Sequence, residues 1–478
     1  MKKLCFVFAL LIVASCAKKI EPATVTVSET DTEFIIVRTP VDDITLWNNK
    51  ADTIYPNEAN KFVFQKKIEQ PEFIRIIINE TYLKAILLPG KSVTVIPAEK
   101  KYTFKGENSA GQQFLNDAKR PYFTVNEARK YEKDTTATLI SSTINSLKQP
   151  ELDTLQSFID TRKIDTDFAE ILKKEINYFY AQRTVQAINS KRYKKTTISE
   201  DLLALIDETA KTYPLNTTYK SDSWQMYAEA LLQENAMFTE MIKGNISKDS
   251  MQKYYLEDKL HPYYYQLITS YKDAEIAEKA AATFIIQKAK QEKFEKSLIS
   301  VYEQFQQDFP NSVYTKYLTE DIEKIKRYHE KIAGAMPANV HFYENEEIAS
   351  LTEMLPDLKG EKYYVDVWAT WCGPCKAEFK YNEPLNAFLK EKGYKKLYIS
   401  LDKSEQRKKW KQDIKYFDLN GLHLLASQAF FADFEKNHSM HEGYVSIPQY
   451  LIIDDGAIVT NNAPRPSQLD ELKALLDN

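Results

Sequence analysis

One short stretch, Tyr364–Lys376, constrains this 478-residue chain more than any other, and its sequence is YVDVWATWCGPCK. Its first five residues are aromatic or β-branched apart from one aspartate, which predicts a buried strand. Cys372 would then stand at the start of a helix, where free N–H groups and the helix dipole favour a thiolate. Pro374 suits an early helical position, because its missing N–H costs no bond there. Cys375 follows one turn later, so the spacing predicts a reversible dithiol with one reactive and one resolving sulfur.

Two other uses of this cysteine pair were weighed. The chain has four cysteines, and the other two, Cys5 and Cys16, lie near the N-terminus. Both fall in the predicted export signal described below, where Cys5 would be removed and Cys16 lipidated. No second cysteine pair is therefore left to complete a four-ligand zinc site. A structural disulfide over so short a loop adds little stability. The pair is therefore predicted to serve thiol exchange, with no metal and no cofactor.

The first 16 residues have the pattern of an export signal. Lys2 and Lys3 precede an apolar run, Leu4–Ala14, which is too short to span a bilayer. Val13–Cys16 then resembles a bacterial lipoprotein cleavage site, where the cysteine becomes a lipidated N-terminus. The alternatives are a plain signal peptide or a buried N-terminal strand. We expect a protein tethered through Cys16 on the periplasmic side of a bacterial membrane.

Length and charge narrow the class of protein. A chain of this length can hold two or three domains. The net charge is −4 and the pI is about 6.0, which gives no reason to expect a nucleic-acid partner.

Hydrophobic periodicity predicts a multidomain α+β protein. Residues 22–106 alternate with a period of two between frequent turn signals, which predicts a small β-sandwich. Residues 107–335 change to a helical period and contain few glycines, which predicts an all-α region. Met336-Pro337 marks a linker, and residues 338 onwards alternate strands and helices. We therefore place an α/β domain at 336–478, and its element order resembles that of a thioredoxin-like domain. Its predicted elements are strand 363–368, helix 373–392, strand 397–401, helix 404–417, helix 426–437, strand 449–453, strand 457–460 and helix 467–477.

The WCGPCK motif and this element order resemble the thioredoxin superfamily, and in particular the TlpA/ResA-like thiol:disulfide oxidoreductases. The resemblance implies a cis peptide at Ile447-Pro448 that faces the cysteines. It implies a buried acid at Asp366 and an active-site acid at Glu378. Trp371 matches the tryptophan beside the reactive cysteine.

Two features depart from the family pattern. Lys380 stands where many members have proline, and Pro384 is expected to bend the helix later instead. His438 and His441 have a spacing that a metal pair could use, but a solvated loop is the preferred interpretation.

The resemblance implies a reductase of client-protein disulfides. The Gly-Pro pair resembles that of reducing thioredoxins, whose potential is about −270 mV. Cys372 would attack the client disulfide, and Asp366 or Glu378 would accept the Cys375 proton during resolution. The electrons would come from a membrane partner. The alternative is a lipoprotein ligand- or protein-binding module with an accessory thioredoxin-like domain. The predicted client-binding residues are Trp371, Gly373, Pro374, Ile447 and Pro448.

Overall fold

The computed structural model describes most of the chain from residue 21 to residue 477. The described ranges are 21–28, 30–42, 44, 50–79, 81–98, 101–194, 198–218, 220–345, 347–438 and 445–477. The predicted signal, Cys16 and His441 lie outside them. The chain divides into two compact units. The first takes its described residues from Met1–Ile286 and Glu303–Leu318, and the second from Gln287–Tyr302 and Thr319–Asn478.

Two four-stranded sheets begin the first unit. The strand orders are β4-β1-β7-β8 and β3-β2-β5-β6. Side chains of both sheets, such as Val25 and Val95 of one and Val37 and Ile76 of the other, share a single hydrophobic core. The alternating burial along β1 is the period of two that the sequence displays. The strands are β1 (Ala23–Val27), β2 (Ile35–Arg38), β3 (Ala51–Ile54), β4 (Phe62–Lys66), β5 (Glu72–Ile78), β6 (Thr81–Leu87), β7 (Ser92–Ala98) and β8 (Lys101–Gly106).

Helices follow up to residue 333. A π-helical turn, Ala230–Asn235, joins two of them. Buried apolar residues recur at helical spacing, as with Leu298, Val301 and Phe305. The helices are α1 (Ser109–Asp117), α2 (Val125–Arg129), α3 (Ala137–Asp160), α4 (Thr166–Lys194), α5 (Glu200–Thr212), α6 (Asp222–Glu229), α7 (Ala236–Ile242), α8 (Lys248–Leu256), α9 (Leu260–Thr269), α10 (Ala274–Ala289), α11 (Ser297–Asp308) and α12 (Thr315–Ala333). None of the helices in the described part of the chain has the length and hydropathy needed to cross a membrane.

A six-stranded mixed sheet organises the second unit, in the order β14-β13-β10-β11-β12-β9. Strand β10 is central, parallel to β11 and antiparallel to β13. The strands are β9 (Val340–Phe342), β10 (Lys362–Trp368), β11 (Tyr394–Ser400), β12 (Gly421–Leu425), β13 (Gln449–Asp454) and β14 (Ala457–Thr460). The helices are α13 (Leu351–Met354), α14 (Gly373–Glu378), α15 (Asn382–Glu391), α16 (Arg407–Tyr416), α17 (Gln428–Asn437) and α18 (Leu469–Leu476).

Strand β10 is buried along nearly its whole length, as expected for the central strand of a sheet that is covered on both faces. Val365 and Val367 of β10 pack in the core that also contains Phe430 and Phe434 of α17. On the opposite face, Trp368 belongs to the cluster that holds both cysteines. The active-site stretch is therefore anchored in the centre of the sheet.

The structure differs from the predicted elements in several places, one of which is the short helix α13, which was not predicted. Strands β9 and β12 extend one edge of the sheet and were not predicted, because each is short and carries little periodic signal. The predicted helix 373–392 is broken at Phe379–Tyr381, which forms a 3₁₀ turn. Pro384 explains the break, since its ring conflicts with the carbonyl of Lys380 and it donates no hydrogen bond there. The interruption of the helix lies one turn before the proline, around Lys380.

Candidate functional site

The loop between β10 and the cysteines is held by a buried carboxylate. Asp402 accepts hydrogen bonds from the Thr370 backbone N–H at 2.8 Å and from the Thr370 hydroxyl at 2.7 Å. Its Oδ2 also accepts a bond from the Ser400 hydroxyl at 2.8 Å. Asp402 is only 2 % exposed. These bonds fix the backbone two residues before Cys372, so the first cysteine starts from a rigid position.

Cys372 and Cys375 are joined by a disulfide at the N-terminus of α14. Cys372 is the N-cap residue, and its Sγ accepts a hydrogen bond from the Cys375 backbone N–H at 3.1 Å. This is the position where backbone donors and the helix dipole stabilise negative charge. Cys372 is 4 % exposed and Cys375 is fully buried. The arrangement can hold a thiolate on the first sulfur and shield the second from solvent.

The predicted client-binding residues surround the disulfide. Trp371 is 67 % exposed, and Gly373 and Pro374 are exposed beside it. The Ile447-Pro448 peptide is cis, as the motif implied. Ile447 packs against the cluster that contains both cysteines. The structure thus brings these five residues to one region of the second unit.

Asp366 lies inside the sheet, on the face that carries Trp368. It is the fifth residue of β10, opposite Tyr398 of β11 and Tyr450 of β13. It is fully buried, and neither carboxylate oxygen has a hydrogen-bond partner among the described residues. Burial raises the pKa of Asp366 to about 7; the Lys396 ammonium opposes that rise and the Glu378 carboxylate adds to it. Such an acid can exchange a proton near neutral pH.

Lys396 is a buried charge that acts on Asp366, and the sequence analysis did not predict it. It is the third residue of β11, paired in register with Tyr364, and it is almost fully buried. Its ammonium donates to Asn382 Oδ1 at 2.7 Å. Burial lowers the pKa of Lys396, and Asp366 partly counters this effect. The sequence signal that could have identified Lys396 is a lysine at an inward-facing position of an apolar strand.

Glu378 is the last residue of α14, and its carboxylate is held by Ser467. The Ser467 backbone N–H donates to Oε2 at 3.0 Å and the Ser467 hydroxyl donates to Oε1 at 3.1 Å. Glu378 is buried, with 9 % of its surface exposed. These two donors fix the position of the carboxylate. The two predicted acids therefore lie in different environments, one unpartnered and one hydrogen-bonded.

The histidine spacing gains no support as a metal site. Burial lowers the pKa of His438, and its ring contacts that of Phe434 at 5.6 Å between centroids. Across the parts of the chain that are described, no group of three His, Cys, Asp or Glu side chains is placed to hold a metal ion.

Comparisons with known proteins agree with this geometry. The sequence model of the Redoxin family matches residues 349–476. The thiol-disulfide oxidoreductase ResA of Oceanobacillus iheyensis is 46 % identical over 61 residues, which are 13 % of this chain and 32 % of that protein. The ResA of Bacillus thuringiensis subsp. konkukian is 32 % identical over 108 residues, 22 % of this chain and 56 % of that protein. The chain thus spans between a third and about half of the length of these curated relatives.

A solved structure of a thiol:disulfide interchange protein of the thioredoxin family from Chlorobium tepidum also matches. It is 21 % identical, with 25 % of this chain and 83 % of that chain covered and a TM-score of 0.20. The Redoxin match and the ResA relatives define the class: the C-terminal part of this chain is a thioredoxin-superfamily domain. More narrowly, that domain is TlpA/ResA-like.

Proposed function

We propose that this protein is a thiol:disulfide oxidoreductase that reduces disulfides of client proteins through Cys372 and Cys375. The observation that carries the proposal is the Cys372–Cys375 disulfide at the N-terminus of α14, with Cys372 as the capping residue. A pair in that position can alternate between disulfide and dithiol without moving the sheet beneath it. The ResA relatives support the same reaction class.

The reaction balances as two successive thiol exchanges. The Cys372 thiolate attacks one sulfur of the client disulfide; a mixed disulfide forms and the first client sulfur leaves as a thiolate. The Cys375 thiolate then attacks the Cys372 sulfur, which forms the intramolecular disulfide and releases the second client thiolate. The client gains two electrons and the two protons of the protein's thiols. The protein loses two electrons, and it returns to the dithiol by exchange with a reduced dithiol of an electron-donor protein.

Asp366 and Glu378 divide the proton chemistry in this proposal. Cys375 is buried and must lose its proton before it can attack. Asp366 is the better acceptor, because burial raises its pKa to about 7 and its oxygens have no hydrogen-bond partner among the described residues. Both Glu378 oxygens already accept hydrogen bonds from Ser467. We expect Asp366→Asn to slow resolution of the mixed disulfide about 10- to 100-fold and to change the initial attack much less. Stopped-flow exchange with a model disulfide separates the two steps. Slow resolution in Glu378→Gln, with Asp366→Asn normal, would reverse the roles.

Trp371, Gly373, Pro374 and the Ile447-Pro448 segment form the proposed client-binding groove. Trp371 offers a large exposed ring, and Gly373 has open space around its α-carbon. An extended client segment could pair with the backbone beside Ile447 while its disulfide approaches Cys372. The side chains would set client preference, and the cysteines would do the chemistry.

We further propose that the protein is exported and anchored by a lipid on Cys16 at the periplasmic side of a bacterial membrane. The sequence pattern of residues 1–16 supports this location. The donor that reduces the disulfide would then be a membrane protein. The domains at 22–106 and 107–335 would hold the redox domain near its clients.

A second candidate function rests on a cavity in the first unit. Its volume is about 400 Å³, and Arg192, Phe238, Met241 and Ile246 are among its lining residues. Arg192 is 4 % exposed, and its guanidinium group lies 5.4 Å from the centre of the Phe238 ring. A cavity of this kind favours a ligand-binding module to which the redox domain would be accessory.

Insulin reduction with dithiothreitol tests the proposed function. Wild-type protein should accelerate insulin precipitation, and Cys372→Ser should lose at least about 100-fold of that rate because the nucleophile is gone. Lys380→Met serves as a matched control, since Lys380 is exposed outside the proposed groove and the variant keeps both sulfurs. Cys375→Ala should accumulate mixed disulfides and so identify clients. A wild-type protein that does not reduce insulin, and a Cys375→Ala variant that traps nothing, would favour the ligand-binding alternative.

A further inference from the structure

The cavity in the first unit is lined by a buried positive charge, the guanidinium of Arg192. Arg192 lies in the last turn of α4 and is 4 % exposed. Its Nη1 donates a hydrogen bond to Asn235 Oδ1 at 2.8 Å, while its Nε has no partner among the described residues. Asp207 attracts the guanidinium, but no ion pair joins Arg192 to a carboxylate within the described ranges of the chain. The protein therefore buries this charge against one neutral amide.

A buried arginine without a carboxylate partner destabilises the fold that contains it. Burial lowers the pKa of Arg192 to about 10, and Asp207 opposes the shift. The C-terminal end of α4 supplies partial negative charge nearby, but a helix dipole is weaker than a full carboxylate. A local arrangement that is unfavourable for stability is typical of a functional site. An anionic ligand in the cavity would supply the missing partner.

The backbone beside Arg192 has an unusual form. The π-helical turn Ala230–Asn235 comes directly before α7, and its last residue holds the guanidinium through the Asn235 side chain. The Phe238 ring, one turn later, has its centre 5.4 Å from the guanidinium carbon. Single π-helical turns inside helices occur frequently at functional sites. The end of α4 and the start of α7 therefore hold the charge in the cavity wall.

The rest of the cavity wall is mostly apolar. Its apolar lining residues include Ile198, Phe238, Met241 and Ile246. The other charged lining residues, Lys248 and Asp249, are exposed in the first turn of α8 and have opposite signs. Arg192 therefore gives the cavity wall one net positive charge. A wall of this composition suits a ligand with an apolar body and a single negative charge.

We propose that this cavity binds a small apolar monocarboxylate, whose carboxylate pairs with Arg192 and whose hydrocarbon part contacts Phe238 and Met241. A guanidinium binds a carboxylate through strong charge-assisted hydrogen bonds. A doubly charged phosphate head suits the site less, because Asp249 would repel it. The inference gives the second candidate function a ligand class and does not rest on the cysteine chemistry, so either can hold without the other.

Isothermal titration calorimetry of the oxidised full-length protein tests the site, with octanoate as the probe. Octanol has the same apolar body without the charge, and acetate has the charge without the body. Octanoate should bind about 10- to 100-fold more tightly than octanol, because only octanoate bonds to a buried guanidinium. Acetate should bind more weakly than octanoate, because it buries little apolar surface. Equal affinities for octanoate and octanol would overturn the proposal.

Arg192→Met keeps an apolar side chain in the wall and removes the charge. It should weaken octanoate binding about 10- to 100-fold and leave octanol binding unchanged. The ligand-free variant should be at least as stable as wild type in a thermal melt, because an unpaired buried charge is gone. Arg192→Lys retains a charge and should keep part of the preference for octanoate. Lys253→Met is the matched control, since Lys253 lies on α8 outside the cavity lining with its side chain 70 % exposed.

A structural role for Arg192 predicts the opposite pattern. Arg192→Met would then melt at a lower temperature than wild type and bind octanoate with unchanged affinity, and the proposal would be wrong. Wild-type protein that does not bind octanoate would also overturn it, and tighter binding of octyl phosphate than of octanoate would exclude the carboxylate as the ligand class. None of these measurements uses a thiol, so their outcome is separate from that of insulin reduction.

Discussion

The unpartnered carboxylate of Asp366 should make the redox domain less stable as pH rises, and Asp366→Asn should remove that loss. The folded-state pKa is raised from 3.8 to about 7, so the folded protein keeps a proton that the unfolded chain releases. A group with a raised folded pKa stabilises below its unfolded pKa and loses that contribution as pH climbs to the folded value. The sensitive window therefore runs from about pH 4 to about pH 7.

The magnitude follows from the size of this shift. Between pH 5 and about pH 7, the Asp366 carboxyl is ionised in the unfolded chain but still mostly protonated in the folded protein. The two states therefore differ by one bound proton over about two pH units. At about 1.4 kcal/mol per unit, wild-type protein should lose about 3 kcal/mol across that interval relative to Asp366→Asn. Lys396 widens this difference between the two proteins. Its folded pKa falls further once Asp366 is neutral, so the variant itself gains stability as pH rises.

Hydrogen exchange at the backbone amides of β10, in the oxidised protein, measures the opening free energy of this domain alone. Exchange is corrected for its intrinsic pH dependence and compared at pH 5 and pH 8. Asp454→Asn is the matched control, because Asp454 ends the neighbouring strand β13 with its side chain 37 % exposed. That variant should follow the wild-type pH dependence. If the curves of wild type and Asp366→Asn run parallel, the carboxylate is not desolvated as argued.

Further predictions concern the cysteines and the fixed loop before them. In the reduced protein at mildly acidic pH, alkylation should label Cys372 well before Cys375, because Cys372 caps α14 and Cys375 is fully buried. Peptide mass spectrometry measures the order of labelling. If Cys375 is labelled first, the roles of the two cysteines are reversed. Asp402→Asn should leave one Thr370 donor without a strong acceptor and lower the thermal midpoint, at a cost of about 1–3 kcal/mol; an unchanged midpoint would mean the loop is held otherwise. Cys16→Ser should release the protein from membranes or block its maturation, as cell fractionation would show, and a variant that matures and stays on the membrane would exclude a lipid anchor.

The local parts of the site could be predicted from the sequence because their signals are local. The strand before the cysteines and the helix start at Cys372 each follow from neighbouring residue types. The buried acid at Asp366 came from the resemblance to a family. The cis peptide at Pro448 came from resemblance to a family motif, since propensity alone would have favoured trans. The assigned roles of the cysteines and acids stay predictions until kinetics test them.

The remaining features depend on contacts between residues far apart in the chain. Lys396 meets Asp366 only because β11 pairs in register with β10. Glu378 finds its donors at Ser467, 89 residues later, at the start of the C-terminal helical turn. Strand β12 depends on Gly421, where a Cβ would lie 2.6 Å from the Lys396 carbonyl oxygen. These three contacts cannot be predicted from local periodicity, because each depends on how strands and helices pack.

The position of the segment Gln287–Tyr302 has a consequence for modularity. Gln287–Tyr302 belongs to the same compact unit as the thioredoxin-like sheet, although the linker at residue 336 suggests a clean boundary. A fragment cut at that linker would lose the Tyr328 phenol from Asp413 and the Glu292 carbonyl from Lys376. Two buried charges would be left with fewer partners, and Tyr416 would lose two of its aromatic neighbours, Phe294 and Tyr328. The excised domain would keep its cysteines but would lack these buried contacts, so we expect it to be less stable than the same domain in the full chain.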